Sequence, residues 1–233
     1  MFGGSLWIWV IFIGFTVISW LISHQLKSRF QKYSKIPTAN GMTGRDVVEK
    51  MLRDNGVTGV KIGSVEGMLT DHYNPSNKTL NLSDSVYGST SVAAVGVAAH
   101  ECGHAIQHQQ GYVPLTLRSA IVPVANLGST LAWPLILIGL FFTSNTGTFL
   151  IDLGILCFSF AVLFQLVTLP VEFNASHRAL RILGEQGILS DSELPYTRKV
   201  LKAAALTYVA SAAASILQLL RLVLLFGGRR RDD

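Results

Sequence analysis

Four long apolar runs constrain the fold of this chain more than any other feature of its sequence. Each run has about the twenty residues that a helix needs to cross the ~30 Å hydrocarbon core of a bilayer. Only 14% of the chain is charged and 49% is hydrophobic, whereas a soluble domain is about one quarter charged. The sequence therefore predicts a membrane protein. The runs are residues 5–22, 121–142, 149–171 and 203–226.

Basic residues around the first three runs predict how the chain crosses the bilayer. Cytoplasmic segments next to transmembrane helices are rich in Lys and Arg. Because basic residues follow the first run at once, the N-terminus is expected outside and residue 27 onward inside. The second and third runs are expected to cross and return, because basic residues flank the pair on one side. These residues are Lys27, Arg29, Lys32 and Lys35 after the first run, Arg118 before the pair, and Arg178 and Arg181 after it.

The last run, residues 203–226, has conflicting flanks. If it spans the bilayer, the arginines at 229–231 emerge outside, against the positive-inside rule. Arg198, Lys199 and Lys202 before the run provide an equal inward pull, which favours a span. A re-entrant or surface-lying segment is the alternative. We therefore expect about four transmembrane helices.

Residues 38–118 form the one long stretch with the patterning of a soluble domain. Thr43 before apolar residues at helical spacing predicts a capped helix. Two short strands that form a hairpin around an Asn-Pro-Ser-Asn turn are predicted at residues 68–73 and 78–82. Residues 92–110 contain no helix breaker other than two glycines, so we expect a buried helix there.

His100, Glu101 and His104 form the motif H-E-x-x-H within this predicted helix. Residues four apart share a helix face, so both imidazoles can bind one ion. Glu101 can direct its carboxylate at a zinc-bound water and take a proton from it as general base. The residues before the motif are apolar or small, and buried imidazoles and carboxylates without partners are costly. The motif therefore predicts one Zn²⁺ per chain.

A catalytic zinc site needs a third protein ligand in addition to water. His108 continues the helix face of His104, but it lies one further turn along, about 6 Å by helix rise. It is therefore too far to share an ion with both motif histidines, and we expect it to be a polar neighbour of the site or a surface residue. The third ligand must come from another part of the chain.

Residues 172–179, Glu-Phe-Asn-Ala-Ser-His-Arg-Ala, resemble the E-x-x-A-D-x-x-A element of the HtpX and CAAX-prenyl-protease type membrane gluzincins. On that resemblance Glu172 is the third zinc ligand, and Ala175 and Ala179 are small packing positions. Ser176 stands where those enzymes have aspartate. A serine can orient a histidine ligand but adds no charge to it.

The chain as a whole resembles the YugP-like neutral zinc metallopeptidases of bacteria. The resemblance implies a zinc endopeptidase in the bacterial cytoplasmic membrane, multi-pass, with its active site on the cytoplasmic side. The expected partners are the lipid bilayer and membrane-associated protein or peptide substrates. The net charge of +5 is attributed to topology, not to nucleic acid. The matching segments are residues 69–73, 80–83, 97–107 and 172–176.

These inferences predict a membrane α+β protein with about four transmembrane helices. Its small cytoplasmic zincin-like domain contains a β-hairpin with an edge strand and the HExxH helix. Hydrolysis of peptide bonds by zinc-activated water is the expected reaction. The expected divisions are residues 1–22 for transmembrane helix 1, 23–118 for the cytoplasmic catalytic domain, 119–171 for the hairpin of transmembrane helices 2 and 3, 172–202 for the cytoplasmic segment with the third ligand, and 203–233 for transmembrane helix 4 and the basic tail.

Other residues are assigned supporting roles. The side chains expected to contact the metal ligands and hold them in place are Ser176, His177 and Arg178. Arg178 could also stabilise an oxyanion or anchor the topology. An edge strand beside the motif helix would pair with an extended substrate by β-augmentation. That strand is expected to consist of Leu69, Thr70, Asp71, His72 and Tyr73.

Two other functions fit the same residues. A non-catalytic membrane scaffold or chaperone would keep zinc for stability, with the fourth metal position closed by protein, for example by His177 or Cys102. A zinc enzyme that acts on a lipid or another non-peptide carbonyl would lack a substrate-pairing strand beside the site.

Overall fold

The computed structural model describes residues 3–142 and 145–226, which form helices α1–α7 and strands β1–β3. They divide into two compact units. The helical unit comprises the described parts of Met1–Leu21, Leu117–Leu169 and Tyr208–Asp233, and the mixed unit comprises Ile22–Thr116 and Pro170–Thr207. The elements are α1 Gly3–Tyr33, α2 Gly44–Asp54, β1 Lys61–Val65, β2 His72–Asn74, β3 Thr79–Ser83, α3 Asp84–Tyr87, α4 Val92–Gln109, α5 Val113–Phe141, α6 Asn145–Glu185 and α7 Leu194–Phe226.

The mixed unit contains a three-stranded sheet in the order β1-β3-β2. β2 and β3 form the predicted antiparallel hairpin, with Tyr73 opposite Leu80. The first strand of the hairpin is shorter than predicted. Leu69 has a φ of 60°, which is incompatible with extended structure, so β2 begins at His72 and not at residue 68.

Strand β1 is an addition to the predicted elements, and it pairs with β3 in parallel. Its sequence, Lys-Ile-Gly-Ser-Val, contains a glycine, which weakens the strand signal. A Cβ atom at Gly63 would lie 2.5 Å from Asn81 Oδ1 on the neighbouring strand. The glycine that obscures this strand in the sequence therefore allows the close approach of a side chain from β3.

Helix α2 begins at a capping box, as the sequence predicts. The Thr43 hydroxyl accepts a hydrogen bond from the Asp46 backbone amide, and the Asp46 carboxylate accepts one from the Thr43 amide at 2.9 Å. Such reciprocal bonds satisfy two otherwise unpaired donors at a helix start. The apolar face of α2, which includes Val47 and Met51, is buried in the core together with α4.

Three helices in the described part of the chain, α5, α6 and α7, are long and apolar enough to cross a membrane. α6 does not end with its apolar run at residue 171 but continues to Glu185. Gly187 then adopts a φ of 62°, the left-handed conformation typical of the residue after a helix. The predicted cytoplasmic segment at 172–202 is therefore largely helical, because α6 ends and α7 begins within it.

Small residues bring α5 and α6 together in the helical unit. A Cβ atom at Gly128 would lie 2.5 Å from the Cys157 carbonyl oxygen, and one at Gly154 would lie 2.8 Å from the Ala132 carbonyl oxygen. Close backbone approach at small residues is typical of helix pairs within membranes. The contacts fit the predicted hairpin that crosses and returns.

Two parts of the predicted topology are not covered by α5, α6 and α7. α1 runs through the whole first apolar run and on to Tyr33, and its crossing of the bilayer stays a prediction. The arginines at 229–231 of the predicted basic tail lie outside the described residues, as do residues 143 and 144 between the second and third apolar runs.

Candidate metal centre

Helix α4 carries the HExxH motif, and most of its residues are buried. The helix is capped by Ser91, whose Oγ accepts a hydrogen bond from the Ala94 amide at 3.2 Å. Within the motif, a Cβ atom at Gly103 would lie 2.6 Å from the Ala175 carbonyl oxygen of α6. The absence of a side chain at this glycine lets the two backbones approach closely. Glu172, on the same helix as Ala175, can therefore reach the motif histidines.

His100, His104 and Glu172 bring their ligand atoms together, all within 4.8 Å of one another. Glu172 Oε2 lies 3.1 Å from His100 Nε2 and 3.5 Å from His104 Nε2. The two imidazole rings stand nearly perpendicular, at 84°, and all three residues are at most 9% exposed. Two ligands about 2.1 Å from a tetrahedral zinc ion are about 3.4 Å apart, so the observed spacing suits zinc.

The second ring nitrogen of each histidine is held by a neutral side chain. Ser176 Oγ lies 3.0 Å from His100 Nδ1, and Gln107 Oε1 lies 3.0 Å from His104 Nδ1. An imidazole that donates a hydrogen bond from Nδ1 presents the lone pair of Nε2 to a metal. Both Nε2 atoms face Glu172, and two imidazoles with one carboxylate form a donor set that zinc prefers.

Glu101 lies beside this group and is 8% exposed. Burial raises the pKa of its carboxyl to about 7; His100 and the backbone amide of Tyr73 oppose the rise, and Glu172 adds to it. A carboxyl with a pKa near neutrality can both accept a proton and return it. Glu101 thus has the properties of a proton-transfer group.

Strand β2 lies at one edge of the sheet and contacts α4. The Tyr73 hydroxyl lies 2.8 Å from His108 Nδ1, while the Tyr73 backbone amide faces Glu101. The hydroxyl and the backbone amide of Tyr73 therefore both connect β2 to the motif helix. His108 does not belong to the three-residue metal group.

The predicted edge strand at 69–73 is reduced to its last two residues, His72 and Tyr73. Residues 69–71 are not part of a strand. The Asp71 carboxylate accepts hydrogen bonds from the Ser83 amide at 2.7 Å and the Ser83 hydroxyl at 2.9 Å. The side chain of Asp71 is therefore bound to the end of β3, and Asp71 itself precedes strand β2.

Arg178 contacts the side chain of Asn174, and Asn174 in turn contacts Gln107, a residue that was not predicted to belong to the site. Its Nε donates to Asn174 Oδ1 at 2.6 Å, and Gln107 Nε2 donates to the same oxygen at 2.9 Å. Gln107 is completely buried although it is polar, and it follows His104 by three residues, on the same helix face. A glutamine at this spacing inside an apolar helix is the signal that could have identified it.

Two residues considered for a fourth protein ligand lie in other environments. Cys102 is buried, with its Sγ 3.7 Å from the Val48 carbonyl oxygen, and burial raises the pKa of its thiol. His177 is exposed on α6. Neither residue belongs to the metal group.

Two histidines one helix turn apart, a glutamate between them in sequence and a distant carboxylate define a metal-binding protein of the HExxH class. The chain belongs to the family described as "Putative neutral zinc metallopeptidase", whose sequence model matches residues 8–227. It is 45% identical over 228 residues to the "Putative membrane protease YugP" of Bacillus subtilis (strain 168), covering 96% of this chain and 100% of that protein. No solved structure matches the chain. The predicted relationship is confirmed, and zinc is the cofactor that this family and these ligands share.

Proposed function

We propose that this protein is a membrane-integrated zinc metalloendopeptidase that hydrolyses peptide bonds near the cytoplasmic face of the bacterial plasma membrane. His100, His104 and Glu172 hold the metal, and Glu101 transfers the proton. Membership of a zinc metallopeptidase family and similarity to a membrane protease support both the activity and the membrane association. The charge pattern around the apolar runs supports the cytoplasmic side.

One observation supports the proposal most strongly. Glu172 is 72 residues from His100 in the chain, yet one of its carboxylate oxygens lies within 3.5 Å of the Nε2 atoms of both motif histidines. All three side chains are buried, and their ligand atoms lie within 4.8 Å of one another. A zinc ion would satisfy all three side chains at once.

The residues around the metal group suit peptide hydrolysis. Zinc bound there would polarise the scissile carbonyl and acidify water. Glu101 accepts a proton from the water as the water oxygen attacks the carbonyl carbon. It later donates that proton to the amide nitrogen as the carbon–nitrogen bond breaks. The products are a carboxylic acid and an amine. Ser176 and Gln107 hold the histidine rings in place throughout.

The substrate backbone is expected to pair with strand β2. This strand forms one edge of the sheet, is tied to α4 by the Tyr73–His108 hydrogen bond, and turns the Tyr73 amide toward Glu101. A peptide that extends the sheet by β-augmentation along this edge would pass the proton-transfer group. A lipid has no peptide backbone that could pair with a strand edge, so this arrangement favours peptide substrates.

The proposed topology has four spans, with the N-terminus outside. α5, α6 and α7 provide three spans, and the first apolar run within α1 provides the other. The zinc-binding residues then lie in cytoplasmic parts of the chain, which favours loops or tails of membrane proteins as substrates. The proposed divisions are 1–22 and 119–171 for the first three spans, 23–118 and 172–202 for the cytoplasmic parts, and 203–233 for the last span and tail.

Zinc content and proteolysis, measured together on the full chain in detergent, test the proposal. The wild type should contain one zinc per chain and cleave casein or a membrane protein. Glu101→Gln should keep its zinc but lose cleavage by about 10²-fold to 10⁴-fold, because it cannot accept the proton. Glu172→Ala should lose the zinc, because only two protein ligands remain.

Glu185→Ala is the matched control for the third ligand. Glu185 lies on α6, as Glu172 does, but it is exposed and pairs with Arg181, so zinc and cleavage should both persist. Zinc retained by Glu172→Ala would remove Glu172 from the ligand set. If the wild type and Glu101→Gln both contain zinc and cleave equally, or if neither cleaves, the peptidase proposal is overturned. That outcome would favour the zinc-stabilised scaffold.

A further inference from the structure

Gln107 is a completely buried polar residue whose role does not follow from the HExxH motif. Its side-chain amide makes three contacts. Oε1 lies 3.0 Å from His104 Nδ1, and Nε2 lies 2.9 Å from the Val171 carbonyl oxygen and 2.9 Å from Asn174 Oδ1. The amide oxygen and both N–H groups of the amide nitrogen therefore each have a partner.

The direction of these hydrogen bonds is fixed by their chemistry. A backbone carbonyl can only accept, so the amide nitrogen of Gln107 must face Val171 and the amide oxygen must face His104. Because an amide oxygen can only accept, the proton of the contact belongs to His104 Nδ1. A neutral imidazole has a single N–H group, so Nε2 of a neutral His104 has a lone pair available for a metal ion, 3.5 Å from the carboxylate oxygen of Glu172.

Asn174 and Arg178 hold the nitrogen of the Gln107 amide in place. Asn174 Oδ1 accepts from Gln107 and also from Arg178 Nε, at 2.6 Å. A guanidinium has no acceptor, so it holds the Asn174 side chain with its oxygen toward both donors. Arg178 is itself held by Gln110 Oε1 and by the Tyr112 ring, whose centroid lies 5.8 Å away.

The geometry points to Gln107 as a positioning residue that selects the Nδ1–H tautomer of His104, with Asn174 and Arg178 holding the amide in orientation. The inference rests on the proposed zinc site, for which this tautomer leaves Nε2 ready to bind the metal. His100 has no equivalent constraint in the contact with Ser176, because a hydroxyl can donate or accept. Arg178 then acts through two amides, and not on the substrate oxyanion.

Zinc affinity of the full chain in detergent, measured by competition with a chelator, tests the role of Gln107. Gln107→Met keeps the length of the side chain but removes both hydrogen-bonding groups. Gln109→Met is the matched control, because it makes the same change at an exposed position of α4. We expect Gln107→Met to weaken zinc binding by about 10-fold to 100-fold and Gln109→Met by less than about 2-fold.

The tautomer itself provides a readout that is independent of activity. In the zinc-loaded full chain labelled with ¹⁵N-histidine, NMR should show His104 protonated at Nδ1 and metal-bound through Nε2 in the wild type, and a mixture of Nδ1-bound and Nε2-bound forms in Gln107→Met. Asn174→Asp keeps the acceptor for Gln107, whereas Asn174→Leu removes it. Asn174→Leu should therefore bind zinc several-fold more weakly than Asn174→Asp.

Equal zinc affinity in Gln107→Met and Gln109→Met, with one His104 tautomer in both, would overturn the inference. His104→Ala separates this failure from failure of the proposed site. Unchanged zinc binding by His104→Ala would overturn the zinc site, whereas loss in His104→Ala with none in Gln107→Met would overturn only the positioning role. Should Gln107→Met not fold, equal affinities in the two Asn174 variants would decide against the inference.

Discussion

The mixed unit and the helical unit place apolar side chains in opposite environments. In the mixed unit, Met51 and Leu80 are completely buried, while charged residues such as Arg45 lie outside. In the helical unit, large apolar side chains such as Leu163 and Phe149 are 44% and 64% exposed. The same residue types therefore face two solvents. A buried apolar core of this kind suits water around the first unit, and exposed apolar side chains suit hydrocarbon around the second.

The polar side chains of the two units differ in the same way. The mixed unit buries polar groups in hydrogen bonds, such as the Thr197 hydroxyl to the Val92 carbonyl at 2.8 Å, and begins α2 with a charged cap. The helical unit instead packs α5 on α6 through glycines. We infer that the mixed unit is sensitive to changes in fit and in hydrogen bonding, and the helical unit to any charge on its outer face.

The largest expected effect comes from a charge on that outer face. Leu163→Asp should destabilise the protein by about 2.5–3.5 kcal/mol in bicelles, because a carboxylate near the bilayer centre loses its hydration. Met68→Asp makes the same change in the mixed unit, where Met68 is 41% exposed, close to the 44% of Leu163. This variant should change the free energy of unfolding by less than about 0.5 kcal/mol.

Unfolding midpoints in bicelles, measured for both variants against the wild type, check the comparison. The near-equal exposure of the two side chains removes burial within the protein as a cause of any difference. Similar small effects of the two substitutions would contradict the assignment of hydrocarbon to the outer face of α6.

A smaller effect is expected from a change of fit in the mixed unit. Gly103→Ala would place a Cβ atom 2.6 Å from the Ala175 carbonyl oxygen, so α4 and α6 must move apart. Overpacking of this kind costs about 1–3 kcal/mol. The movement should also weaken zinc binding, because Glu172 and the motif histidines lie on the separating helices.

Thermal unfolding and zinc affinity of Gly103→Ala, compared with Gly88→Ala, measure this effect. Nothing lies within 4 Å of a Cβ atom at Gly88, and its φ of −98° suits any residue. Zinc affinity in Gly103→Ala equal to that in Gly88→Ala would show that close approach of the two helices is not what brings Glu172 to the histidines.

Local patterns predicted much of this fold. The Thr43–Asp46 cap and the uninterrupted run of small and apolar residues in α4 are each encoded within a few neighbouring residues, and both elements are present where they were predicted. Hydropathy alone located the cores of α5, α6 and α7. Such signals depend only on helix periodicity and on the length needed to cross a bilayer.

Features that depend on distant residues were predicted less well. β1 exists because β3 pairs with it, and the turn at Leu69 shortens β2 although its side chain suits a strand. Glu172 was identified through family resemblance, since nothing in helix spacing links it to His100. The Gln107–Asn174 contact joins residues 67 apart in the chain, and its role becomes visible only when both helices are in place.

The smallest expected effect tests the charged cap of the mixed unit. Hydrogen bonds from the Thr43 hydroxyl and amide hold the pKa of Asp46 below its usual value, which is about 3.9 in unfolded chains. A carboxyl with a lowered pKa in the folded state stabilises the fold above about pH 4, and loses that effect as the pH falls through the folded-state pKa. Asp46→Asn should therefore lower stability at pH 7 by at most about 1 kcal/mol, and the deficit should shrink toward pH 3.

Urea unfolding of the detergent-solubilised chain at both pH values measures this deficit, and Asp191→Asn, at an exposed turn position, serves as the control with no expected change. A deficit of equal size at pH 7 and pH 3 would mean that the shape of the cap, and not its charge, holds the start of α2. A deficit that shrinks with acid would instead place a charge-dependent contribution in the mixed unit. That result would strengthen the contrast with the outer face of α6, where an ionised carboxylate is expected to destabilise the protein.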